Sequence, residues 1–268
     1  MSTRRPDPRH FPSYRKASTK QGPGFRTAAQ RTASAQAFRR GASTYHDVRP
    51  GYPDEVTALI APAHTVADIG AGTGKLTDSL PNERIIALEP SADMAGVLAS
   101  RLHLPVLRAT AENTALADAS LDAACLAQTW HWVDVAAACA ELDRVLAPGG
   151  KILLVWNTLD VNADPWVLRL SRIMHSGDVH KPGFYPDYTA PWSLERELRL
   201  TWEHELTPEQ LHQLMHTRSY WLRNGEAIHE RMTHNLDWYL YEHLGYTPGQ
   251  KLHIPYRTDA FVLVRESD

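Results

Sequence analysis

The chain has 268 residues, 43% of them hydrophobic, and a formal net charge of −3 at pH 7, enough to bury one sizeable core. The absence of a long apolar run or an apolar leader argues against a membrane protein and favours the cytoplasm. The two cysteines form neither a metal nor a redox motif, so we expect buried thiols in a reducing compartment.

The first part of the chain is strongly basic. Residues 1–40 carry ten Lys or Arg against one acid, Asp7, and are poor in large aliphatic side chains. We therefore predict a disordered basic arm over residues 1–35 and a single domain over residues 36–268. The arm suits contact with nucleic acid, and its composition is also similar to that of a transit peptide, although a plain unstructured extension explains it more simply. The acidic remainder makes nucleic acid an unlikely main substrate.

Strands and helices alternate in the next part of the chain. An extended entry with two Xaa-Pro pairs leads into a helix from residue 53 or 54 to residue 60. Strands are predicted at residues 66–69, 84–88, 105–107, 121–127 and 151–156. Helices are predicted at residues 75–80, after Ser91 and at residues 135–146. This order predicts an α/β fold with a doubly wound parallel sheet.

The pattern changes after Asn157. Helices are predicted at residues 165–175, 208–216 and 226–244, and strands at residues 198–206 and 259–264. His212 and His216 share one helical face, but without a third ligand nearby in the sequence we expect a solvated surface rather than a metal site.

A glycine-rich loop follows the first predicted strand, with the sequence Asp-Ile-Gly-Ala-Gly-Thr-Gly-Lys-Leu-Thr at residues 68–77. Alternating glycines at a strand end let backbone N–H groups approach a nucleotide-like ligand. A phosphate loop needs Gly five positions before Gly74 and Ser or Thr after Lys75, and this chain has Ile and Leu there. A dinucleotide fingerprint beginning at Gly70 needs Gly at position 75. Spacing excludes both, which leaves another nucleotide-like ligand or a tight turn without a ligand.

The acid-x-Gly-x-Gly-x-Gly pattern of this loop resembles motif I of the class I S-adenosylmethionine-dependent methyltransferases. Glu89, at the end of the second strand, resembles the acid that takes the ribose hydroxyls of the cofactor in that family. A carboxylate suits this role because it can accept two hydrogen bonds from a diol. The sequence Thr-Ala-Glu at residues 110–112 resembles the adenine-side motif, and residues 128–132 resemble the segment under the methionine moiety. One departure is Ala115, where the family often has Pro.

The entry segment before the first strand narrows the resemblance to one branch of this family. Phe38, Tyr45, Arg49 and the sequence Trp-His-Trp at residues 130–132 are similar to the type-11 branch, which includes small-molecule enzymes like trans-aconitate methyltransferase. The resemblance implies a mainly parallel seven-stranded sheet with a core at about residues 60–157. A helical substrate cap at about residues 160–250 and the final strand at residues 259–264 complete the implied fold.

The resemblance also implies S-adenosylmethionine as the cofactor, with no metal. The residues to which it assigns cofactor binding are Tyr45, Arg49, Asp68, Gly70, Gly72, Gly74, Glu89, Ala111, Glu112 and Gln128.

His131 is the candidate general base, because it follows a buried strand and an unperturbed His has a pKa near 6.5. A His that only packs or bonds to the cofactor is the alternative. An acceptor carboxylate needs no base, whereas an amine or phenol does.

The leading hypothesis is therefore methyl transfer to a small molecule, with a carboxylic acid as one candidate. A non-catalytic cofactor-binding adaptor and a nucleic-acid methyltransferase recruited by the arm are the alternatives. The sequence makes no prediction of oligomeric state.

Overall fold

The computed structural model describes residues 46–176 and 180–266, so Tyr45 and the predicted arm at residues 1–35 lie outside the described residues. The chain forms two compact units. The sheet unit comprises Arg49–Asn157, Tyr185–Leu200 and residues 258–266. The helical unit comprises residues 46–48, 158–176 and 180–184 together with Thr201–Arg257.

Seven strands form one sheet in the order β3-β2-β1-β4-β5-β7-β6. The strands are β1 Thr65–Ile69, β2 Arg84–Leu88, β3 Val106–Leu107, β4 Leu121–Ala127, β5 Leu146–Leu159, β6 Trp192–Leu206 and β7 Leu252–Arg265. Strands β1 to β5 pair in parallel. The predicted seven-stranded, mainly parallel sheet is thus confirmed. The strand order reverses between β1 and β4, which is where doubly wound sheets bind their ligands.

Strand β7 runs antiparallel to both of its neighbours. Contacts to β6 pair Ser193 with Val264 and Arg199 with Asp259, so the numbers rise on one strand as they fall on the other. Contacts to the β5 side follow the same rule, because Thr258 is bonded to Asn157 and the Asp160 N–H donates to the Pro255 carbonyl. The last three strands are longer than predicted, because paired strands continue past the apolar residues that reveal them in the sequence.

The buried strands explain why the sheet forms here. Strand β1 is buried throughout, and its Val66 belongs to an apolar cluster with Ala123 of β4 and Val155 of β5. The sequence Pro148-Gly149-Gly150 precedes the strand predicted at residues 151–156, but in the structure it lies inside β5. Leu121 pairs with Leu146 but Ala123 pairs with Lys151, so these residues form a bulge.

Three α-helices belong to the sheet unit: α1 Asp54–Thr57, α2 Ala92–Leu102 and α3 Val135–Val145. A 3₁₀ turn, Ala58–Ile60, extends α1. The helix predicted at residues 75–80 was wrong, since only a 3₁₀ turn, Thr77–Ser79, forms there. The Ser79 and Leu80 N–H groups bond three residues back, to Leu76 and Thr77.

The helical unit contains α4 Pro165–Ile173, α5 Pro208–His216, α6 Ser219–Arg223 and α7 Glu226–Asp237. A π-helical turn, Trp238–His243, follows α7, so the single helix predicted at residues 226–244 consists of α7 and this turn. The core of the helical unit contains the fully buried side chains of Leu170, Leu214 and Leu236. Among the described residues, no helix is long and apolar enough to cross a membrane.

The two candidate histidines of α5 have separate roles in the helical unit. His212 lies 2.9 Å from the Asp237 carboxylate, and His216 packs on the Trp221 ring with centroids 4.0 Å apart. Neither side chain is therefore part of a simple solvated face.

Candidate functional site

The loop after β1 uses its three glycines for different purposes. All have positive φ, +71° at Gly70, +59° at Gly72 and +88° at Gly74. A Cβ on Gly70 would clash with the Thr129 methyl carbon, and one on Gly74 would lie 2.9 Å from Leu102. A Cβ on Gly72 would meet no described atom within 4 Å. Packing thus requires Gly70 and Gly74, whereas Gly72 leaves room for a ligand to approach the backbone.

Glu89 follows β2 and bonds to this loop. Its Oε2 accepts a hydrogen bond from the Gly72 N–H at 2.8 Å, and its Oε1 accepts one from the Ser91 N–H at 2.7 Å. Glu89 is 7% exposed. This burial raises the pKa of its carboxyl, against the opposing effects of the two N–H groups and of Arg108. Each carboxylate oxygen has a further lone pair, so Glu89 can still accept bonds from a diol.

Asp68, near the end of β1, is a buried carboxyl with one unpartnered oxygen. Oδ2 accepts a hydrogen bond from Thr77 Oγ1 at 2.6 Å, whereas Oδ1 has no partner in the part of the chain that the structure describes. Burial raises the pKa of Asp68 from 3.8 to about 7; the Thr77 bonds oppose this rise and the Glu89 charge adds to it. A cationic group bound here would satisfy Oδ1 and favour the ionised carboxylate.

The residues after β4 are bonded to the same loop. Thr129 Oγ1 shares its proton between the Gly70 carbonyl at 3.2 Å and the Ala127 carbonyl at 3.0 Å. Gln128 has a φ of +54°, which is strained for a residue with a side chain. The Gln128 N–H donates to the Val155 carbonyl at 2.8 Å, and its side-chain Nε2 donates to the Asn157 carbonyl. These bonds hold the strained residue and so fix the direction of the turn that follows.

Asn157, on β5, connects this turn to the entry segment. Its Nδ2 donates to the Gly51 carbonyl at 2.7 Å, and its Oδ1 accepts from Thr258 Oγ1 at 2.6 Å. Arg49, two residues before Gly51, is half-buried. The entry segment is thus bonded at Gly51 to the same carboxyl-terminal edge of the sheet as the loop.

His131 lies in a 3₁₀ turn, Trp130–Trp132, which begins two residues after the strained Gln128. The Trp156 indole Nε1–H donates to His131 Nδ1 at 3.3 Å. The His131 ring also packs at an angle on Trp132, with centroids 4.7 Å apart. Trp130 is buried, and its Nε1 donates to the Asp187 carbonyl at 2.8 Å. Both neighbouring tryptophans therefore contribute to holding the turn.

The predicted adenine-side residues lie on the loop after β3. Ala111 is buried, and Glu112 Oε1 accepts a hydrogen bond from the Asp134 N–H at 2.8 Å, at the start of α3. Glu141 on α3 accepts from the Thr114 N–H at 2.8 Å, and the Arg144 guanidinium beside it lowers the pKa of this Glu to about 2. These bonds give Glu112 and Glu141 a role in fixing the loop.

The structure thus brings together most of the predicted site. Asp68, Glu89 and the loop glycines lie side by side, and Thr129 connects them to the turn that holds Gln128 and His131. Four further side chains that were not predicted as site residues fix this arrangement: Thr77, Thr129, Trp156 and Asn157. Thr77 and Thr129 lie within the segments quoted at residues 68–77 and 128–132, and this position was the sequence signal that could have identified them.

Comparison with known proteins shows that this chain is similar to methyltransferases. A model described as a methyltransferase domain matches residues 67–154. An uncharacterized methyltransferase of Mycobacterium tuberculosis is 36% identical over 228 residues, which cover 82% of this chain and 92% of that protein. The malonyl-[acyl-carrier protein] O-methyltransferase of Dechloromonas aromatica is 33% identical over 132 residues, 44% of this chain and 48% of that protein.

Among solved structures, a type II methyltransferase from Anaeromyxobacter dehalogenans superposes with a TM-score of 0.60 at 24% identity. The match covers 80% of this chain and 97% of that one, and it shows a shared fold.

Proposed function

Because this chain belongs to the methyltransferase family, we propose that it transfers the methyl group of S-adenosylmethionine to a small molecule, with carboxylic acids as the favoured acceptors. The observation that carries the proposal is the pairing of an unpartnered buried oxygen on Asp68 with the open face of Gly72. The cationic amino group of the cofactor can bind the Asp68 oxygen, and its extended body needs the open space beside Gly72.

The remaining contacts follow from the chemistry of the cofactor. Asp68 Oδ1 would accept from the ammonium group of the methionine moiety, and the free lone pairs of Glu89 would accept from the ribose hydroxyls. Ala111 and Glu112 would face the adenine, and Gln128 would lie along the methionine moiety. Tyr45 and Arg49 of the entry segment would cover the cofactor.

The protein supplies position rather than covalent chemistry. The bound cofactor provides a strongly electrophilic sulfonium methyl group. The chain must hold an acceptor in line with the methyl–sulfur bond, and such positioning contributes several kcal/mol to catalysis. The bonds from Thr129 to the loop and from Gln128 to β5 give the rigidity that this alignment needs.

The proposal of a carboxylic acid has one supporting comparison. The Dechloromonas aromatica relative is named for O-methylation of a malonyl group, whose free oxygen nucleophile is a carboxylate. A carboxylate is already ionised at neutral pH, so it can attack without losing a proton.

Calorimetric titration with S-adenosylmethionine tests the cofactor, and mass spectrometry of mixtures with carboxylic acids, phenols and amines tests the acceptor. We expect submillimolar cofactor affinity and a methyl ester from at least one acid. No heat would refute the cofactor site, whereas binding without any methylated product would favour the adaptor. Salt-sensitive RNA or DNA binding and methylation, lost on removal of residues 1–35, would favour the nucleic-acid enzyme.

A further inference from the structure

Each residue of the turn from Glu89 to Ser91, which follows β2, takes part in a hydrogen bond. The Glu89 N–H donates to the Leu107 carbonyl of β3 at 2.9 Å, and the Ser91 N–H donates to the Glu89 carboxylate. Between them, the Pro90 carbonyl accepts a bond from Arg108 Nη2 at 2.8 Å. Proline has no N–H, so its carbonyl is the one backbone group through which the centre of this turn can be bonded.

Arg108 reaches this turn from the neighbouring strand. It directly follows β3 and is exposed, and its side chain crosses to a residue 18 positions earlier in the chain. Among the described residues, no carboxylate forms an ion pair with its guanidinium. The positive charge is therefore held beside the buried Glu89 by a bond to a neutral carbonyl, and an ordinary surface salt bridge does not account for its position.

Two charged side chains of the described part of the chain act on the Glu89 carboxylate from opposite directions. Burial is the main cause that raises the pKa of Glu89, and the N–H groups that it accepts and the Arg108 charge oppose this rise. On the other side lies Asp68, whose pKa is raised by burial and further by the Glu89 charge, so the two carboxylates repel each other. Arg108 is thus the cation that offsets this repulsion.

The charge of Glu89 decides how well it can bind a diol. An ionised carboxylate is only an acceptor, and both of its oxygens can receive a hydroxyl. A protonated carboxyl presents a hydrogen on one oxygen and loses acceptor capacity there. It also loses the extra strength of a charge-assisted hydrogen bond.

We propose that Arg108 is a positioning residue for the cofactor ribose, which fixes the turn through Pro90 and keeps Glu89 in its charged, diol-accepting form. The inference rests on the proposed function and adds a residue that acts through Glu89 without having to touch the cofactor. Ribose binding is then complete above the Glu89 pKa and is lost as pH falls through it. Removal of the Arg108 charge makes this loss begin at a higher pH.

The direct test is carbon-13 NMR of the full chain with labelled glutamate, with the Glu89 signal assigned by its absence in Glu89→Gln. We expect the Glu89 pKa to be higher in Arg108→Gln than in the wild type, and Arg108→Lys to restore most of the difference because it keeps the charge. A matched control is Arg101→Gln. Arg101 is an exposed arginine of α2 that has no hydrogen bond or ion pair among the described residues, and its loss should leave Glu89 unchanged.

Calorimetric titration with S-adenosylmethionine at pH 8 and pH 5.5 tests the consequence for binding. At pH 8, Arg108→Gln should bind about two- to tenfold more weakly than the wild type, because the bond to the turn is lost. At pH 5.5 the loss should grow by a further factor of about two to five, because Glu89 is more readily protonated. Arg108→Lys should show an equal loss at both pH values, since a merely structural bond has no pH dependence. Arg101→Gln should match the wild type throughout.

Two results would overturn the inference: a Glu89 titration that does not move in Arg108→Gln, or a loss of affinity in that variant that is the same at both pH values. The wild type separates the two levels of the argument. If it binds no cofactor, the proposed function fails and this inference with it. If it binds cofactor and the Arg108→Gln profile is unmoved, only the role of Arg108 fails.

Discussion

Asp68→Asn should make the ligand-free protein more stable at alkaline pH while weakening its cofactor site. Asp68 is 1% exposed, and burial raises its pKa from 3.8 to about 7. Each tenfold change in acid strength is worth about 1.4 kcal/mol, so ionised Asp68 costs the folded state roughly 4 kcal/mol at pH 8. Asparagine can keep an oxygen for Thr77. Its amide nitrogen then takes the unpartnered position, at a cost of about 1–3 kcal/mol.

The sign of the effect depends on pH. The folded-state pKa of Asp68 is raised, so its stabilising contribution is complete below the unfolded value and is lost as pH rises through about 7. At pH 8 we therefore expect Asp68→Asn to raise the free energy of unfolding by about 1–3 kcal/mol. At pH 5 the folded carboxyl is protonated, the remaining cost is under about 2 kcal/mol, and the two proteins should be nearly equal.

Urea unfolding of both proteins at pH 5, 6, 7 and 8 measures this difference, because groups that are common to both proteins cancel. Titration at pH 8 should show at least a tenfold loss of S-adenosylmethionine affinity in the variant, as expected for loss of a charge-assisted bond. A difference in stability that does not change with pH, or a variant that is less stable at pH 8, would refute the reasoning about Asp68.

Three further predictions concern other residues. Ala115 has a φ of +60°, so Ala115→Gly should stabilise the protein by up to about 1 kcal/mol and Ala115→Pro should destabilise it, as measured by urea unfolding. Burial lowers the pKa of His216, so its contribution to stability is complete above about pH 6.5 and is lost as pH falls; His216→Gln should reduce the acid sensitivity of unfolding between pH 7 and 5. Thr129→Val removes the bond to Gly70 while keeping the shape, and it should raise the cofactor dissociation constant several-fold without unfolding the chain, as followed by calorimetry. Unchanged stability of the Ala115 variants, a wild-type acid sensitivity of His216→Gln, or unchanged affinity of Thr129→Val would contradict the roles assigned to these residues.

The centre of the candidate site could be predicted from the sequence because that part is local. The loop glycines and Asp68 are close in the chain, and Glu89 follows the next strand, so strand alternation alone places them at one edge of the sheet. The structure confirms the sheet, and it adds a hydrogen bond between Glu89 and the loop.

The sequence could not predict contacts that depend on register. The Trp156 bond to His131 spans 25 residues and the Thr129 bond to Gly70 spans 59, and each requires two strands to end at matching heights. The sequence also does not reveal which residues have a strained backbone. The replacement of the family's Pro by Ala115 looked like a weakness of the resemblance, but a φ of +60° is one that Pro cannot adopt.

Cofactor binding at Gly72 is the central claim, and a matched pair of glycine variants tests it most directly. Gly72→Leu and Gly149→Leu place a side chain at φ values of +59° and +79°, each with no described atom within 4 Å of the new Cβ. Backbone strain is therefore similar in both, but only Gly72 lies in the loop. Calorimetry with S-adenosylmethionine should give wild-type affinity for Gly149→Leu and no measurable binding for folded Gly72→Leu. Wild-type affinity in Gly72→Leu would contradict the assignment of the site.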